Sequence, residues 1–465
     1  MTNQTGHHTP ALQIHHPASF RDPAGFIFTV DGVVYRQVNR SYTRQYEQLI
    51  KSGLYQTLTQ ESLLISHTEV AGPAQTPDHH LTLLPEQLTR ITYPAEWCPE
   101  QLKAAALLTL RIQQLAMTHG MCLKDATPFN IQFHKGRPIL IDTLSFDLYN
   151  PTRPWIAYRQ FCECFLFPLY IHQYARTGTA WVATAWPEGI PASLTARLLP
   201  LKSRWNTGAW LHVFLQARIS SRETTAAPRS LSFSETKLAR LIGHLESIVS
   251  RVSTSPAKPS AWSNYYSETA LGQSYLEAKE QLYRQYLHQI RFTDALDLGC
   301  NEGRFAKILA ETGASVMAVD SDWLCIETLY NKHLPNILPL CIDLANPTPA
   351  SGFGNTERSS FTDRASSGLV IALALIHHLA LRNNIPLPLI ADYFSRLSNQ
   401  YLLIEFVPLS DEKARELIAR KETPTVGYDP EHFESAFNRH FRIERRERIT
   451  GTDRVLYLLT KFDRT

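Results

Sequence analysis

The feature that most constrains the fold is a glycine-containing turn between an apolar strand and a helix. The segment Asp297-Leu298-Gly299-Cys300-Asn301-Glu302-Gly303 follows the apolar run Ala295–Leu298 and precedes a helix predicted over 304–312. A chain that leaves a buried strand and turns at once into a helix needs glycine, because glycine adopts left-handed backbone angles without steric cost. Such a turn is typical of the first unit of an open α/β sheet that binds a ligand at its strand ends.

Strands and helices alternate through the rest of this half of the chain. The alternation predicts an α/β fold with a Rossmann-like, doubly wound and mainly parallel sheet. The last two strands are separated by a short polar connection, so we expect them to pair as an antiparallel hairpin at the sheet edge. The seven predicted strands are 295–298, 315–320, 337–343, 369–375, 401–407, 442–449 and 455–462.

Three carboxylates, Asp297, Asp320 and Asp343, lie at the carboxyl ends of the first three predicted strands. An acid after the second strand can accept hydrogen bonds from ribose hydroxyls. The turn matches neither G-x-G-x-x-G nor a Gly-Lys-Ser/Thr phosphate loop. Acidic neighbours without a lysine suit a cationic ligand that lacks phosphates, and S-adenosylmethionine has this chemistry in its ribose, adenine, amine and sulfonium. Each acid taken alone is also compatible with a solvated cap.

These motifs resemble the class I S-adenosylmethionine-dependent methyltransferases over residues 262–465. The resemblance implies that the turn contacts the methionine part of the cofactor, that Asp320 binds the ribose and that Asp343 lies near the adenine amine. The stretch 262–279, which contains Trp262, Tyr265, Tyr266 and Tyr275, has two open interpretations: a segment folded over the cofactor or a packing helix. The residues implied for the methionine part are Asp297, Gly299, Asn301 and Gly303.

Candidate catalytic residues follow the fourth and fifth strands. Methyl transfer needs an aligned acceptor and, for some acceptors, a base. His377 and His378 follow the fourth strand, and a histidine can act as a base near neutral pH. Glu405 lies in an apolar strand, which is costly unless the carboxylate is paired or faces the ligand crevice. We predict these three residues as catalytic; for each histidine the alternative is that it caps or packs the next helix.

The N-terminal half has a different, α+β pattern. It predicts two strands around Asp31-Gly32, a helix over 99–119, a hairpin over 131–141 and a buried aromatic-rich helix over 155–174. Asp125 precedes Asn130 by five positions, and Asp142 follows Asn130 by twelve. This spacing resembles the loops of kinase-like and aminoglycoside-phosphotransferase-like folds. There the first Asp orients a hydroxyl, and the Asn and second Asp hold magnesium on ATP.

This part of the chain also departs from the kinase pattern. Leu123 stands where that pattern has His, and Thr143-Leu144 stand where it has Phe-Gly. No convincing glycine-rich loop or strand lysine lies upstream, and Arg36 is the nearest basic residue on a strand. Three interpretations stay open. The half is a degenerate kinase-like scaffold that recognises the acceptor or a protein partner, it holds a working nucleotide or acceptor site at Asp125, Asn130 and Asp142, or the match is chance.

Across its whole length the chain also resembles the NoeA-type nodulation proteins and related bacterial two-part methyltransferases. That family is associated with modification of a host-recognition signal or glycan, so the resemblance sharpens the reaction class more than the acceptor. Trp97, Trp155, Trp205 and Trp210 are interpreted as core aromatics or as platforms that stack on sugars or bases. The resemblance rests on YPAEW (93–97), LKDATPFN (123–130), IDTLSF (141–146), YRQFC (158–162), the glycine turn, ALIHHL (374–379) and IEFVP (404–408).

Shifts in composition divide the chain into four parts. We expect a disordered polar tail over 1–24, a kinase-like domain over 25–250, a Ser- and Pro-rich linker over 251–261 and the methyltransferase domain over 262–465. A second irregular stretch, 346–367, is rich in Gly, Ser, Pro and Asn. It predicts a long loop that is either a functional lid or disordered.

The net charge and the length of the apolar stretches limit the kinds of partner that the chain can bind. Lys and Arg total 46 against 43 Asp and Glu, a net charge of +3, which argues against binding to nucleic acid through bulk electrostatics. The longest apolar stretch, 369–376, is far shorter than a membrane helix. Of seven cysteines, Cys162 and Cys164 are the one close pair; we predict that they are core residues and predict no metal site.

Together these observations predict a cytoplasmic, S-adenosylmethionine-dependent methyltransferase. Its acceptor is left open as a glycan, a small molecule or another macromolecule, and a protein partner is allowed for at the N-terminal half. Two alternatives are carried forward. One is phosphotransfer by the kinase-like half, and the other is a non-enzymatic adaptor that senses S-adenosylmethionine.

Overall fold

The computed structural model describes residues 13–72, 75–220, 234–254, 272–419 and 427–462. The first part of the chain forms a five-stranded antiparallel sheet. The sheet has the order β1-β2-β3-β5-β4, and helices α1 (Thr43–Lys51) and α2 (Leu54–Gln60) lie between β3 and β4. The turn between β2 and β3 has positive φ at both Asp31 (50°) and Gly32 (80°), which suits the twist of a tight hairpin. The strands are β1 (Gln13–His15), β2 (Gly25–Val30), β3 (Val33–Asn39), β4 (His67–Val70) and β5 (His79–Pro85).

The segment expected to be a disordered tail is partly folded. Strand β1 pairs with β2, and the His15 ring stacks on Phe26 at a centroid distance of 4.4 Å. Asp22 accepts a hydrogen bond from Lys124 Nζ at 2.9 Å. The polar composition of this segment concealed a three-residue edge strand, whose backbone hydrogen bonds need no apolar run.

Helices make up most of the remaining N-terminal unit, by which we mean the described residues from 13 to 254. Two small antiparallel pairs accompany them, β6 with β9 and β7 with β8. The predicted helix over 155–174 is α4 and α5 joined by a π-helical turn at Cys162–Leu166. The elements are α3 (Pro99–Thr118), β6 (Met121–Leu123), β7 (Ile131–His134), β8 (Arg137–Leu140), β9 (Phe146–Leu148), α4 (Tyr158–Phe161), α5 (Phe167–Ala175), α6 (Ala180–Ala185), α7 (Ala192–Leu198), α8 (Thr207–Ala209), α9 (Gln216–Ser220) and α10 (Glu235–Arg251).

The four tryptophans interpreted as core or stacking residues differ in their exposure to solvent. Trp97 and Trp155 are buried in the core, as are Cys162 and Cys164. Trp205 and Trp210 are exposed, so the interpretation of these two as core aromatics is wrong.

The C-terminal unit, the described residues from 272 to 462, is built on a seven-stranded sheet with the order β12-β11-β10-β13-β14-β16-β15. The first five of these strands are parallel, and β16 runs antiparallel to both β14 and β15. This confirms the doubly wound sheet with a terminal hairpin. The strands are β10 (Asp294–Leu298), β11 (Ser315–Asp320), β12 (Ile337–Cys341), β13 (Ser367–Ala372), β14 (Ser398–Phe406), β15 (Phe441–Arg448) and β16 (Val455–Lys461).

Helices cover both faces of this sheet, as the near-continuous apolar central strands require. Within β10, the residues Ala295, Leu296 and Leu298 are fully buried. One apolar core extends through both units. The helices are α11 (Gly272–Leu287), α12 (Arg304–Glu311), α13 (Trp323–Tyr330), α14 (Phe361–Arg364), α15 (Leu387–Leu397), α16 (Glu412–Ile418) and α17 (Pro430–Phe437). Within the described ranges, every helix falls short of the length and apolarity needed to cross a bilayer.

Buried arginines join the two units. Arg90 donates to the Asp294 carboxylate at the start of β10 and to Ser367 Oγ at the start of β13. Arg364 donates to the fully buried Glu96 carboxylate and lies 4.5 Å from the centroid of the Tyr93 ring. The YPAEW motif therefore forms part of the interface between the units.

The irregular stretch 346–367 is ordered rather than disordered. It contains a 3-10 turn at Phe353–Asn355 and helix α14. The guanidinium of Arg358 lies 3.7 Å from the centroid of the Phe129 ring, in the loop between Asp125 and Asn130. Arg358 and Arg364 both contact residues of the N-terminal unit. These contacts hold the stretch in place, and its amino-acid composition does not reveal them.

The Arg364–Glu96 pair gives a first prediction. Substitution Arg364→Ala leaves the Glu96 carboxylate buried without its cation, so we expect the free energy of unfolding to fall by about 3–5 kcal/mol. Denaturant titration measures this change. Arg396→Ala removes an exposed pair with Asp392 and should cost less than about 1 kcal/mol; equal losses from the two variants would contradict a stabilising role for the buried pair.

Candidate active site

A cavity of about 230 Å³ opens at the carboxyl ends of strands β10 to β13. The predicted cofactor residues Asp297, Gly299, Asn301, Asp320 and Asp343 all line it. Gly303 lies at the start of α12 and not on the wall. The remaining lining residues are Tyr275, Leu276, Lys279, Cys300, Phe305, Ser321, Ile342, Leu344, Leu373, Ala374, Leu375, His378, Leu379, Arg382 and Asn383.

Left-handed backbone angles shape the glycine turn. The φ values are 74° at Gly299, 50° at Asn301 and 78° at Gly303, and these conformations are strained for residues with a Cβ. A Cβ on Gly303 would lie 2.5 Å from Cδ1 of the buried Leu329. The backbone amide of Asn301 donates a hydrogen bond to Asp320 Oδ2 at 2.9 Å. This bond joins the turn to the end of strand β11.

Asp297 is a buried acid with an unsatisfied oxygen. Its Oδ2 has no hydrogen-bond partner among the described residues. Burial, and after it the charge of Asp320, raises the pKa of Asp297 to about 8. A buried carboxylate of this kind is stabilised when a cationic donor binds beside it. The ammonium group of S-adenosylmethionine is such a donor, so the residues present fit this cofactor.

The other two acids differ in exposure. Asp320 is largely buried and accepts hydrogen bonds from the amides of Asn301 and Asp322, each at 2.9 Å; burial raises its pKa. Asp343 is exposed and accepts from the Ala345 amide at 2.9 Å. Each carboxylate has further acceptor sites for hydroxyl or amine donors.

Glu405 lies behind the cavity and does not line it. Its carboxylate accepts from Lys279 Nζ, from Tyr275 Oη at 2.7 Å and from Arg454 Nη1 at 3.3 Å. Although burial opposes ionisation, the charges of Lys279 and Arg454 lower the pKa of Glu405 to about 2. The Ala374 amide also donates to Glu405, at 2.9 Å, and Ala374 has a φ of 51°. Glu405 thus holds a strained part of the cavity wall.

The two histidines occupy different places. His378 lines the cavity, whereas His377 is buried behind it, with the ring centroids 4.1 Å apart. Burial, followed by the charge of Arg382, lowers the pKa of His378 to about 4, and burial likewise lowers the pKa of His377. Burial therefore favours the neutral form of both rings near pH 7, and it makes each ring a weaker base than a free imidazole.

Sequence reasoning missed two buried cations and two polar residues of the cavity wall. Lys279 follows Tyr275 by one helical turn in α11, and Arg454 directly precedes β16. A lysine among the apolar positions of a predicted helix is a usable signal for a buried partner. Arg382 ends a π-helical turn at His378–Arg382 and Asn383 follows it; both line the cavity, and local sequence carries no comparable signal for them. Trp262, Tyr265 and Tyr266 lie outside the described residues.

The N-terminal constellation is brought together around Asp142. Asn130 Nδ2 lies 3.5 Å from Asp142 Oδ2, and Ser145 Oγ donates to the same oxygen at 2.5 Å. Arg36 Nη1 contacts Asp142 Oδ1 at 2.5 Å. Although burial opposes it, the Arg36 charge lowers the pKa of Asp142, while burial raises the pKa of Asp125. A cation of the protein itself therefore lies against the carboxylate that the kinase resemblance assigns to magnesium.

The glycine turn generates a stability prediction. Gly303→Ala combines a left-handed φ with a clash against Leu329, so we expect a loss of about 2–4 kcal/mol in the free energy of unfolding. Gly313 has a φ of 87° and open space at its Cβ position. Gly313→Ala should therefore cost about 1–2 kcal/mol. Denaturant titration of both variants separates packing from backbone strain, and equal losses would argue against the close approach at Gly303.

Asp297 generates a pH prediction for the ligand-free protein. Its folded-state pKa of about 8 lies above the ordinary value of 3.8, so between these values the folded chain binds more protons than the unfolded chain. Stability should therefore fall as pH rises from 5 to 8, with a contribution of at most about 1.4 kcal/mol per pH unit. Denaturant titrations across this range should show a shallower fall for Asp297→Asn. The exposed variant Asp392→Asn should retain the wild-type slope, and parallel slopes for wild type and Asp297→Asn would contradict the assignment.

Solved methyltransferase structures are similar to less than half of this chain. The N-methyltransferase NodS from Bradyrhizobium japonicum WM9, in complex with S-adenosyl-L-homocysteine, is 15% identical, covers 44% of this chain and 93% of its own, and has a TM-score of 0.32. Magnesium protoporphyrin IX methyltransferase (ChlM) from Synechocystis PCC 6803, with the same ligand bound, is 14% identical, covers 41% of this chain and 84% of its own, and has a TM-score of 0.30.

No protein-family model matches this chain. One curated relative, however, matches nearly its whole length. Nodulation protein NoeA from Rhizobium meliloti (strain 1021) is 30% identical over 457 residues, which is 94% of this chain and 94% of the relative. Similarity of this extent spans both units and both candidate sites. The chain belongs to the NoeA family of nodulation proteins.

Proposed function

We propose that this protein is an S-adenosylmethionine-dependent methyltransferase whose cofactor lies in the cavity of the C-terminal unit. The observation that carries the proposal is the buried Asp297 carboxylate, which has an unsatisfied oxygen at the cavity and lies beside a left-handed turn held to Asp320. When bound, the cofactor supplies an electrophilic methyl group on its sulfonium. Asp297 binds the ammonium group, and the turn through Gly299, Asn301 and Gly303 leaves room for the methionine part.

The remaining acids orient the nucleoside. Asp320 accepts hydrogen bonds from the ribose hydroxyls, because its carboxylate is fixed by two backbone amides at the end of β11. Asp343 follows the end of β12 by two residues and lines the same cavity, so we propose that it accepts a hydrogen bond from the adenine amine. This division of roles places the methyl group toward the opposite wall, formed after β13.

The acceptor side is formed by His378 and its neighbours. His378 lines the cavity, so we propose it as the group that receives a proton from the acceptor. His377 packs against it and positions its ring. Glu405 acts as a positioning residue through Ala374 and not as a base, since it does not line the cavity and its low pKa of about 2 makes it a weak proton acceptor.

For the domain boundaries, we propose a kinase-like unit over 25–250, a linker over 251–261 and a methyltransferase domain over 262–465. Support for the kinase-like fold comes from element order: a five-stranded antiparallel sheet with helices after its third strand, then α3, the Asp125 loop and the β7–β8 hairpin before Asp142. We propose that this unit recognises the acceptor or a protein partner. The Arg36–Asp142 contact disfavours phosphotransfer, because magnesium would have to displace the arginine.

Calorimetry and methyl transfer test this proposal together. We expect S-adenosyl-L-homocysteine to bind the full chain and Asp320→Asn to weaken the affinity by about 10–100-fold, because a charge-assisted hydrogen bond to the ribose is lost. The exposed variant Asp392→Asn should bind as wild type does. Binding of Mg-ATP without binding of S-adenosyl-L-homocysteine would instead favour the phosphotransferase. Asp320-dependent transfer of labelled methyl to any component of a cell extract would exclude the adaptor.

A further inference from the structure

An exposed aromatic and aliphatic surface lies on the N-terminal unit, far along the chain from both candidate sites. It is formed by α7, the 3-10 turn at Leu201–Trp205, and the helical segment from α8 through the π-helical turn at Trp210–Leu215 to α9, which pack against one another. Trp205 is 90% exposed and Leu201 75% exposed. The exposed apolar residues of this surface are Leu198, Leu201, Trp205, Trp210, Leu211 and Ile219.

Basic residues alternate with these apolar residues along the chain. The same stretch of sequence contains no acidic residues. The sequence from residue 189 to residue 222 contains no Asp or Glu. Arg197, Lys202 and Arg204 are exposed, and none forms an ion pair with a carboxylate in the described part of the chain. The Arg204 guanidinium lies 5.4 Å from the centroid of the Phe214 ring. We call this combination the cationic apolar surface.

We propose that the cationic apolar surface docks peripherally on a membrane that contains anionic phospholipids. Tryptophan prefers the interface between headgroups and acyl chains, and a helix that is apolar on one side and basic on the other lies in the plane of that interface. Lysine and arginine side chains at the surface are attracted to anionic lipid. This inference does not depend on the methyltransferase assignment.

Charge and side-chain type favour this occupant over the alternatives. Single-stranded nucleic acid binds basic surfaces through aromatic stacking, but Leu198, Leu201 and Ile219 are aliphatic and offer bases no stacking face. A second copy of the same surface would bring Arg197, Lys202 and Arg204 against their counterparts, since an isologous contact pairs a patch with itself. An anionic bilayer instead complements both the cations and the apolar side chains.

Vesicle sedimentation of the full chain tests the proposal. We expect binding to vesicles of phosphatidylcholine with one third phosphatidylglycerol, little binding to phosphatidylcholine alone, and release at high salt. The double variant Lys202→Gln/Arg204→Gln should bind about 25-fold more weakly, at about fivefold for each cation removed. Trp205→Ser should weaken binding by about tenfold or more, because the indole is no longer buried in the interface.

Matched controls come from exposed residues elsewhere. Phe353, which is 75% exposed, and Arg396 lie on the C-terminal unit, so Phe353→Ser and Arg396→Gln should bind vesicles as wild type does. All the substituted side chains are exposed, so thermal unfolding and S-adenosyl-L-homocysteine binding should be unchanged in every variant. Equal binding to both vesicle types, or wild-type binding by the surface variants, would overturn the proposal. So would surface-dependent binding to single-stranded RNA without vesicle binding, or a dimer in sedimentation velocity that Trp205→Ser dissolves.

Discussion

Two acids buried side by side at neighbouring strand ends dominate the C-terminal unit. Asp297 is the penultimate residue of β10 and Asp320 is the last residue of β11, and the charge of Asp320 raises the pKa of Asp297. Burying such groups without compensation is unfavourable. The fold compensates Asp320 with backbone amides but leaves one oxygen of Asp297 unsatisfied. The glycine turn and the cavity adjoin this carboxylate, which the nearby Lys279 charge compensates only in part.

A second buried charge cluster lies around Glu405, and its Lys279 and Tyr275 line the cavity. Glu405 joins Lys279 of α11 to Arg454, which also pairs with Asp411. Buried charges remain ionised when their partners and hydrogen bonds are complete, and here they draw a helix, a strand and the terminal hairpin around Ala374. The cavity therefore contains an acid with one unsatisfied oxygen, Asp297, and a buried ion-pair cluster whose hydrogen bonds are made within the protein.

The sheet was predictable from the sequence, and the side-chain networks were not. Apolar strands, the glycine turn and the acids at 297, 320 and 343 follow local rules of backbone conformation and burial, so the strands, the terminal hairpin and the position of the cavity could be anticipated. The partners of Glu405 lie 126 residues before it and 49 residues after it in the chain, and no local pattern links them. The stretch 346–367 was predicted as a lid or a disordered loop for the same reason. Its arginines contact residues of the N-terminal unit that lie far away in the sequence. The exposure of Trp205 was misjudged because aromatic content alone does not distinguish core from surface.

The most direct test of the central claim is the number of protons released when S-adenosylmethionine binds at pH 7. Calorimetry in buffers of different ionisation enthalpy measures this number for wild type and for Asp297→Asn. Because Asp297 is mostly protonated before binding and a bound cation favours its ionised form, wild type should release up to about one more proton than the variant. Equal proton release by the two proteins, with binding intact in both, would contradict the role assigned to this carboxylate.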